Sequence, residues 1–326
     1  MDKNNLINID VIGGSGFIGN SLVKMLINNH YKVRIIDKNK SKYYPDLSHL
    51  GDVRSRKVMS EIIQKNSIIF NLAAEHRDDV TPVSIYDDVN VKGAINICES
   101  ARINHVKTII FTSSVAVYGF APVSTNELGA IAPFNDYGRT KFEAENIYKE
   151  WQLEDPGVRT LVIIRPTVVF GEGNRGNVFN LFKFIASGHF VMIGNGSNKK
   201  SIAYVENVAS FLVHALCVKP GLHVYNYVDK PDFTMNSLVE IVNKTLNKQP
   251  YWNIRIPYIL GLLIGFFCDF IGKIYGKKFS ISYVRIKKFC SNSVYISKIE
   301  CTGFSPPIPL DRAIDRTIKY EFIKND

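Results

Sequence analysis

Cysteine is scarce and scattered in this chain of 326 residues: there are five, at Cys98, Cys217, Cys268, Cys290 and Cys301. Their number is odd, none forms a CxxC pair and no histidine cluster adjoins them. These features argue against a disulfide framework and a zinc site, and reduced, mostly buried thiols are expected. The opening stretch MDKNNLINID lacks the basic, apolar and cleavable pattern of an export signal, so the chain is expected to stay in the cytosol. Uncharged runs of spanning length are also missing from the C-terminal third. Ile256 to Cys268 passes thirteen residues without a charge, short of the about 20 apolar residues of an ordinary membrane-spanning helix. With 46% hydrophobic residues the composition is neither that of a disordered chain nor that of a fibrous repeat. The length suits one large domain or two.

Acidic residues are the minority, and the net charge is +10. From Tyr251 to Asp326 twelve Lys and Arg stand against six Asp and Glu. That excess directs the C-terminal part toward an anionic partner: nucleic acid, a phosphate-bearing substrate or an acidic membrane surface.

What the first half does contain is alternation. Apolar runs at Leu6 to Ile12, Lys32 to Ile36, Ile68 to Leu72, Thr108 to Thr112 and Leu161 to Ile164 read as strands, separated by helical stretches such as Ser21 to Ile27, Val91 to Arg102 and Thr140 to Trp151. This order predicts an α/β fold with a Rossmann-type, doubly wound parallel sheet. Between the first strand and its helix lies GGSGFIG, contributing Gly13, Ser15, Gly16, Phe17, Ile18 and Gly19. Gly13 and Gly16 admit a pyrophosphate to the helix N-terminus, and Gly19 lets helix and strand approach. Asp37 ends the second strand. A carboxylate there accepts bonds from both ribose hydroxyls and repels a 2′-phosphate, which favours NAD over NADP, although Lys38 and Lys40 soften that exclusion.

On such a sheet ligands lie beyond the carboxyl ends of the strands. That rule selects Ala73 to Asp79, Ser113 to Gly119 and Arg165 to Gly171. The helix after the second of these loops opens with YGRTK, which sets Tyr137 and Lys141 one turn apart on one face. An ammonium beside a phenol favours the phenolate and lowers its pKa toward the working range of a general acid/base.

GGSGFIG, Asp37, Gly51 to Arg54, Asn71 to Ala74, Asn90, FTSSVAVYG, YGRTK and Arg165-Pro166 resemble, in order and spacing, the extended short-chain dehydrogenase/reductase family. The resemblance implies that Tyr137 is the acid/base, that Lys141 binds the nicotinamide ribose and that Ser114 hydrogen-bonds the reacting oxygen, with Ser113 as the neighbouring alternative. It also implies that Asp52 and Val53 flank the adenine, that Leu72, Ala73, Ala74 and Pro166 lie against the cofactor, and that Asn90 has a structural or relay role. Sugar dehydratases of similar sequence carry an Asp-Glu pair after the Ser or Thr. Here Val115 and Ala116 follow Ser114, and the remaining set suits 4-epimerisation, in which a hydride leaves C4 and returns to the other face.

In the second half, similar segments of sugar-nucleotide epimerases clasp a diphosphate, which would assign Asn177, Lys200 and Arg285 to substrate phosphates. His76 and Arg77 face the sugar or phosphates, or belong to a solvated loop. The apolar stretch Ile254 to Lys278 has two readings. One is a core helix. The other is a helix lying in a membrane interface, with Lys277, Lys278, Lys287 and Lys288 meeting acidic headgroups. A closer resemblance, carried by AAEHRDDV from Ala73, NRGNVFNL from Asn174, YNYVDKPD from Tyr225 and VRIKKFC from Val284, is to the bacterial 4-epimerases of N-acetylglucosamine on undecaprenyl diphosphate, which act ahead of O-antigen assembly. It implies a lipid-linked diphosphosugar substrate and peripheral attachment to the cytoplasmic face of the inner membrane. It leaves nucleic acid without a role and admits a homodimer. The expected division is an NAD-binding domain over 1–170 with a returning segment at 201–228, and a smaller substrate-binding, membrane-associating domain over 171–200 and 229–326.

Overall fold

The computed structural model describes residues 7–77, 80–248, 254–276 and 282–323. Leu6, Asp78, Asp79, Lys277 and Lys278, on which the sequence reading drew, lie outside them.

The apolar runs form the centre of a seven-stranded sheet in the spatial order Gly221–Tyr227, Thr160–Pro166, Thr108–Thr112, Ile68–Asn71, Asn8–Ile12, Lys32–Asp37 and Ser48–Leu50. Every pairing is parallel. Strands covered on both faces are apolar throughout instead of alternating, and Thr160–Pro166 is buried at all its positions. The two edge strands were not legible as strands. Ser48–Leu50 has only three residues, and Gly221–Tyr227 mixes His223 and Asn226 with apolar neighbours because one side of it lies at the rim.

Helices cover both faces. Leu22, Val23 and Leu26 of Phe17–Asn28 join Val208, Phe211 and Leu212 of Val205–His214 against one side. Ile97 and Ala101 of Gly93–Ile103 join Ala144, Tyr148 and Trp151 of Asp136–Leu153 against the other. Trp151 is fully buried, and its truncation to Ala would cost about 3–5 kcal/mol. The cysteines depart from the burial expected of them: Cys98 alone of the five is buried, in this layer, while Cys217 and Cys301 are exposed. The chain leaves Asn8–Ile12 first toward Lys32–Asp37 and later crosses to Ile68–Asn71 on the other side. This reversal puts the mouth of the sheet at Gly13 and Leu72, where doubly wound folds bind ligands.

The chain divides into two compact units. The first comprises Met1–Val169, Ala203–Val228 and Tyr295–Ile308. The last of these was expected in the second unit, but the Tyr295 ring packs 6.0 Å from that of Tyr118 and the Ile296 carbonyl accepts from Asn226 Nδ2 at 2.9 Å. In the second unit the helices Asn177–Ala186, Met235–Thr245 and Leu310–Phe322 pack on one another. The helix Tyr258–Tyr275 ends at Gly276, whose φ is +62°, and the helix Tyr283–Cys290 packs back on it.

Candidate active site

The glycine turn is held too tightly for side chains. Gly13 has φ +79°, and a Cβ there would lie 2.6 Å from the Ala73 nitrogen; one on Gly19 would lie 2.6 Å from the Gly13 carbonyl oxygen. No side chain caps the helix that begins after Gly16, so its first N–H groups are directed at whatever fills the turn. Asp37 closes the far side: Oδ2 accepts from Ser15 N at 3.1 Å and Oδ1 from Asn39 N at 3.0 Å. An uncapped helix start, a cradle without side chains and a carboxylate beside it fit a dinucleotide diphosphate and its ribose. Phe17 and Ile18 stand partly buried in the first turn.

Around this mouth the neighbouring strand ends are tied together. Leu72 N donates to the Ile12 carbonyl at 2.8 Å, and Ala73 N donates to Asn71 Oδ1 at 3.1 Å, with Ala74 partly buried beside them. Asn90 is buried in a π-helical turn over Asp87–Lys92. Its Oδ1 accepts from Glu75 N at 2.9 Å, and its Nδ2 donates to the Glu75 carbonyl at 3.1 Å and to Thr140 Oγ1 at 2.9 Å. These bonds tie the loop after Ile68–Asn71 to the helix bearing Tyr137. Asp52 is engaged by Arg54, whose Nε and backbone N donate to Oδ1 at 3.0 and 2.9 Å. That contact holds its carboxyl below the usual range. Val53 is buried against Gly93, and Pro166 is buried at the end of its strand.

The residues expected to react come from one strand end and one helix. Asn135 caps that helix, accepting from Gly138 N at 2.9 Å. The helix therefore starts at Asp136, one residue before YGRTK, with Tyr137 in its first turn. Lys141 follows on the same face, 2% exposed, its Nζ 4.4 Å from the centre of the Phe111 ring. Burial pulls its ammonium down to about 7, against the pull of Glu145. Burial also raises the Tyr137 phenol, and the hydrogen bond with Ser114 opposes that rise. Ser114 thus acts on the phenol in the direction that a base requires. The serine alternatives separate as well: Ser113 Oγ turns inward and donates to Glu145 Oε1 at 2.6 Å, leaving Ser114 toward Tyr137.

Sequence reasoning missed the buried polar group beneath this set. Arg165 forks onto Glu145, Nε to Oε1 at 2.8 Å and Nη2 to Oε2 at 2.6 Å, while its Nη1 donates to Tyr118 Oη at 2.6 Å. Tyr118 Oη donates in turn to Asn226 Oδ1 at 2.8 Å. The available signal was the position of Glu145, one turn beyond Lys141 on the same face, which places an acid where a solvated helix would turn away.

The expected substrate residues are dispersed. His76 is exposed, and Arg77 is bound to Glu75, with Nε to Oε1 at 3.0 Å. That pairing holds the Glu75 carboxyl down at about 2. In the second unit Asn177 is exposed at the uncapped start of its helix, and Arg285 is exposed on Tyr283–Cys290. Lys200, expected at the substrate phosphates, is held by the protein itself. Its Nζ donates to the carbonyls of Lys288 and Ser291, both at 2.7 Å, and so closes the end of the Tyr283–Cys290 helix. Burial brings its ammonium down to about 8.

Known proteins resemble this chain in sequence and fold. The chain is 46% identical over 318 residues to the N-acetyl-alpha-D-glucosaminyl-diphospho-ditrans,octacis-undecaprenol 4-epimerase of Escherichia coli O157:H7, a match covering 97% of this chain and 96% of that protein. To a UDP-glucose 4-epimerase of Vibrio cholerae it is 28% identical over 325 residues, covering 94% of this chain and 92% of the other. Among solved structures, the UDP-N-acetylglucosamine 4-epimerase from Bacillus cereus has the same fold, with TM-score 0.76, 17% identity and 98% of each chain covered. The model of the NAD dependent epimerase/dehydratase family matches residues 9–226, and the chain belongs to that family, with NAD as its cofactor.

Proposed function

We propose that the protein is a 4-epimerase that interconverts N-acetylglucosaminyl- and N-acetylgalactosaminyl-diphospho-undecaprenol. The observation that carries this reading is the 46% identity, over nearly the whole of both chains, to a protein named for that reaction. NAD, when bound, supplies the acceptor for the C4 hydride and the donor that returns it. Tyr137 takes the proton of the C4 hydroxyl as the ketone forms and gives it back, and Ser114 hydrogen-bonds the same oxygen. Lys141 binds the nicotinamide ribose. Gly13, Ser15 and Gly16 receive the diphosphate, Asp37 the ribose, and Asp52 and Val53 flank the adenine. Val115 and Ala116 offer no acid for loss of water, which supports return of the hydride to the ketone over elimination. Asn177 and Arg285 bind the sugar diphosphate.

The substrate's lipid requires a membrane surface, for which we take the cytoplasmic face, and the exposed apolar helix Tyr258–Tyr275 supports contact with lipid. Ile259 is 73% exposed and Phe267 62%, and only Gly261 and Gly265 are buried. A core helix would bury a stripe of large side chains. Here the stripe facing the protein is Gly261, opposite Ile193, and Gly265, opposite Tyr283 N, with Asp269 Oδ2 accepting from Tyr283 N at 2.9 Å. The apolar side chains spread over the remaining circumference. A globular partner covers one side of such a helix, whereas lipid covers every exposed side. With 18 residues and mean hydropathy 1.6 the helix is long and apolar enough to cross a membrane. Its two ends nevertheless return to the same unit, through Arg255–Ile256 paired to Met192–Ile193 and through Tyr283–Cys290 packed on it. That return favours a helix lying in the interface, with Lys273, Lys287 and Lys288 near the headgroups. The deciding experiment is an assay of the lipid-linked sugar beside the free nucleotide sugar.

A further inference from the structure

Glu145 has no part in the chemistry above, yet it is fully buried and carries three short bonds. Oε1 accepts the Ser113 hydroxyl at 2.6 Å and Arg165 Nε at 2.8 Å, and Oε2 accepts Arg165 Nη2 at 2.6 Å. Lys149 Nζ stands 3.7 Å from Oε2. A buried ion pair is a poor source of net stability, since desolvation offsets its attraction. The position of this one suggests another use. Ser113 ends the central ladder, its N–H donating to the Ile164 carbonyl at 2.7 Å. Ser114 continues in extended backbone, with φ −162° and ψ 150°. Successive side chains of extended backbone point to opposite sides, so a hydroxyl fixed inward at Ser113 fixes Ser114 outward, where it meets Tyr137. Glu145 and Tyr137 also share one helix, Asp136–Leu153. The bond to Ser113 therefore references the serine strand end to the helix that carries the tyrosine.

We propose that Glu145, charge-balanced by Arg165, is a positioning residue for the reaction: by holding the Ser113 hydroxyl on the buried side it aims Ser114 at Tyr137. The proposal rests on Ser114 being the partner of the reacting oxygen. A reacting group displaced by about 1 Å can lose on the order of 100-fold in rate, so a clamp of this kind acts on kcat.

Glu145→Gln would strand the Arg165 charge, so the test is made at the other end of the bond. Ser113→Ala leaves the Glu145–Arg165 pair intact. It is expected to lower kcat on N-acetylglucosaminyl-diphospho-polyprenol about tenfold, with KM and bound NAD unchanged, and Ser113→Thr, which restores the hydroxyl, is expected to recover most of the loss. In a Ser114→Ala background, adding Ser113→Ala should cost nothing further, because the clamp has lost what it aims. Wild-type kcat in Ser113→Ala would overturn the proposal, as would the same tenfold loss repeated in the Ser114→Ala background. Full turnover in Ser114→Ala alone would instead remove the role of Ser114 on which the proposal depends, a result distinguishable from the other two.

Discussion

Lys141 Nζ stands 4.4 Å from the centre of the Phe111 ring and 2% exposed, an ammonium housed against an aromatic face and withdrawn from water. Its value falls from 10.5 to about 7, burial outweighing the attraction of Glu145. The folded value lies below the unfolded one, so between about pH 7 and pH 10 the unfolded chain binds more protons and stability rises with pH. Below about pH 7 both states hold the proton and this contribution stays at its least favourable. In cofactor-stripped protein, Lys141→Met should therefore melt above the wild type at pH 6 to 7, and the gap should close toward pH 10. A gap independent of pH would show that Lys141 keeps an ordinary value.

Tyr137→Phe removes one oxygen from a site whose glycine turn and Asp37 lie elsewhere. Turnover is expected to fall by about 100-fold to 10,000-fold, the range of general acid/base catalysis, while NAD released on denaturation stays stoichiometric. Retained turnover would take Tyr137 out of the proton transfer.

The glycines of the turn should separate folding from binding. Gly13→Ala puts a Cβ 2.6 Å from Ala73 N at φ +79°, so both melting temperature and NAD content should drop. Gly16→Ala meets only the Gly13 carbonyl oxygen, at 3.2 Å, and Gly16 is exposed with extended backbone. It should fold normally and lose NAD. Melting curves with cofactor quantification check both, and equal melting losses in the two variants would contradict this reading of the turn.

If Tyr258–Tyr275 docks on lipid, charges on its exposed face should release the protein. Phe266→Glu with Phe270→Glu, at positions 64% and 56% exposed, should shift the protein from the membrane pellet to the supernatant and leave its fold intact. Cosedimentation with acidic phospholipid vesicles and circular dichroism measure the two effects. Wild-type protein wholly in the supernatant without detergent would remove the membrane from the account.

Much of this was legible in the sequence because the signals were local. The central strands are continuous apolar runs, the glycine turn and Asp37 sit at fixed spacing, and Tyr137 and Lys141 are one turn apart. The edge strand Gly221–Tyr227 escaped notice because an edge needs no continuous apolar run. Partnership between distant residues was also hidden. Nothing in the order of the chain says that Ser113 faces Glu145, that Arg165 joins them, or that Lys200 closes the end of a helix some ninety residues on. Hidden too was the side of Tyr258–Tyr275 that faces the protein: Gly261 and Gly265 are buried there, because small residues permit close approach of Ile193 and the following helix.

The central claim is the substrate, and one comparison tests it most directly: initial rates of 4-epimerisation of N-acetylglucosaminyl-diphospho-undecaprenol and of UDP-N-acetylglucosamine, measured with the same wild-type preparation in detergent. The account predicts formation of the N-acetylgalactosaminyl lipid, with little or no turnover of the free nucleotide sugar. Rapid epimerisation of UDP-N-acetylglucosamine with the lipid-linked sugar untouched would contradict it.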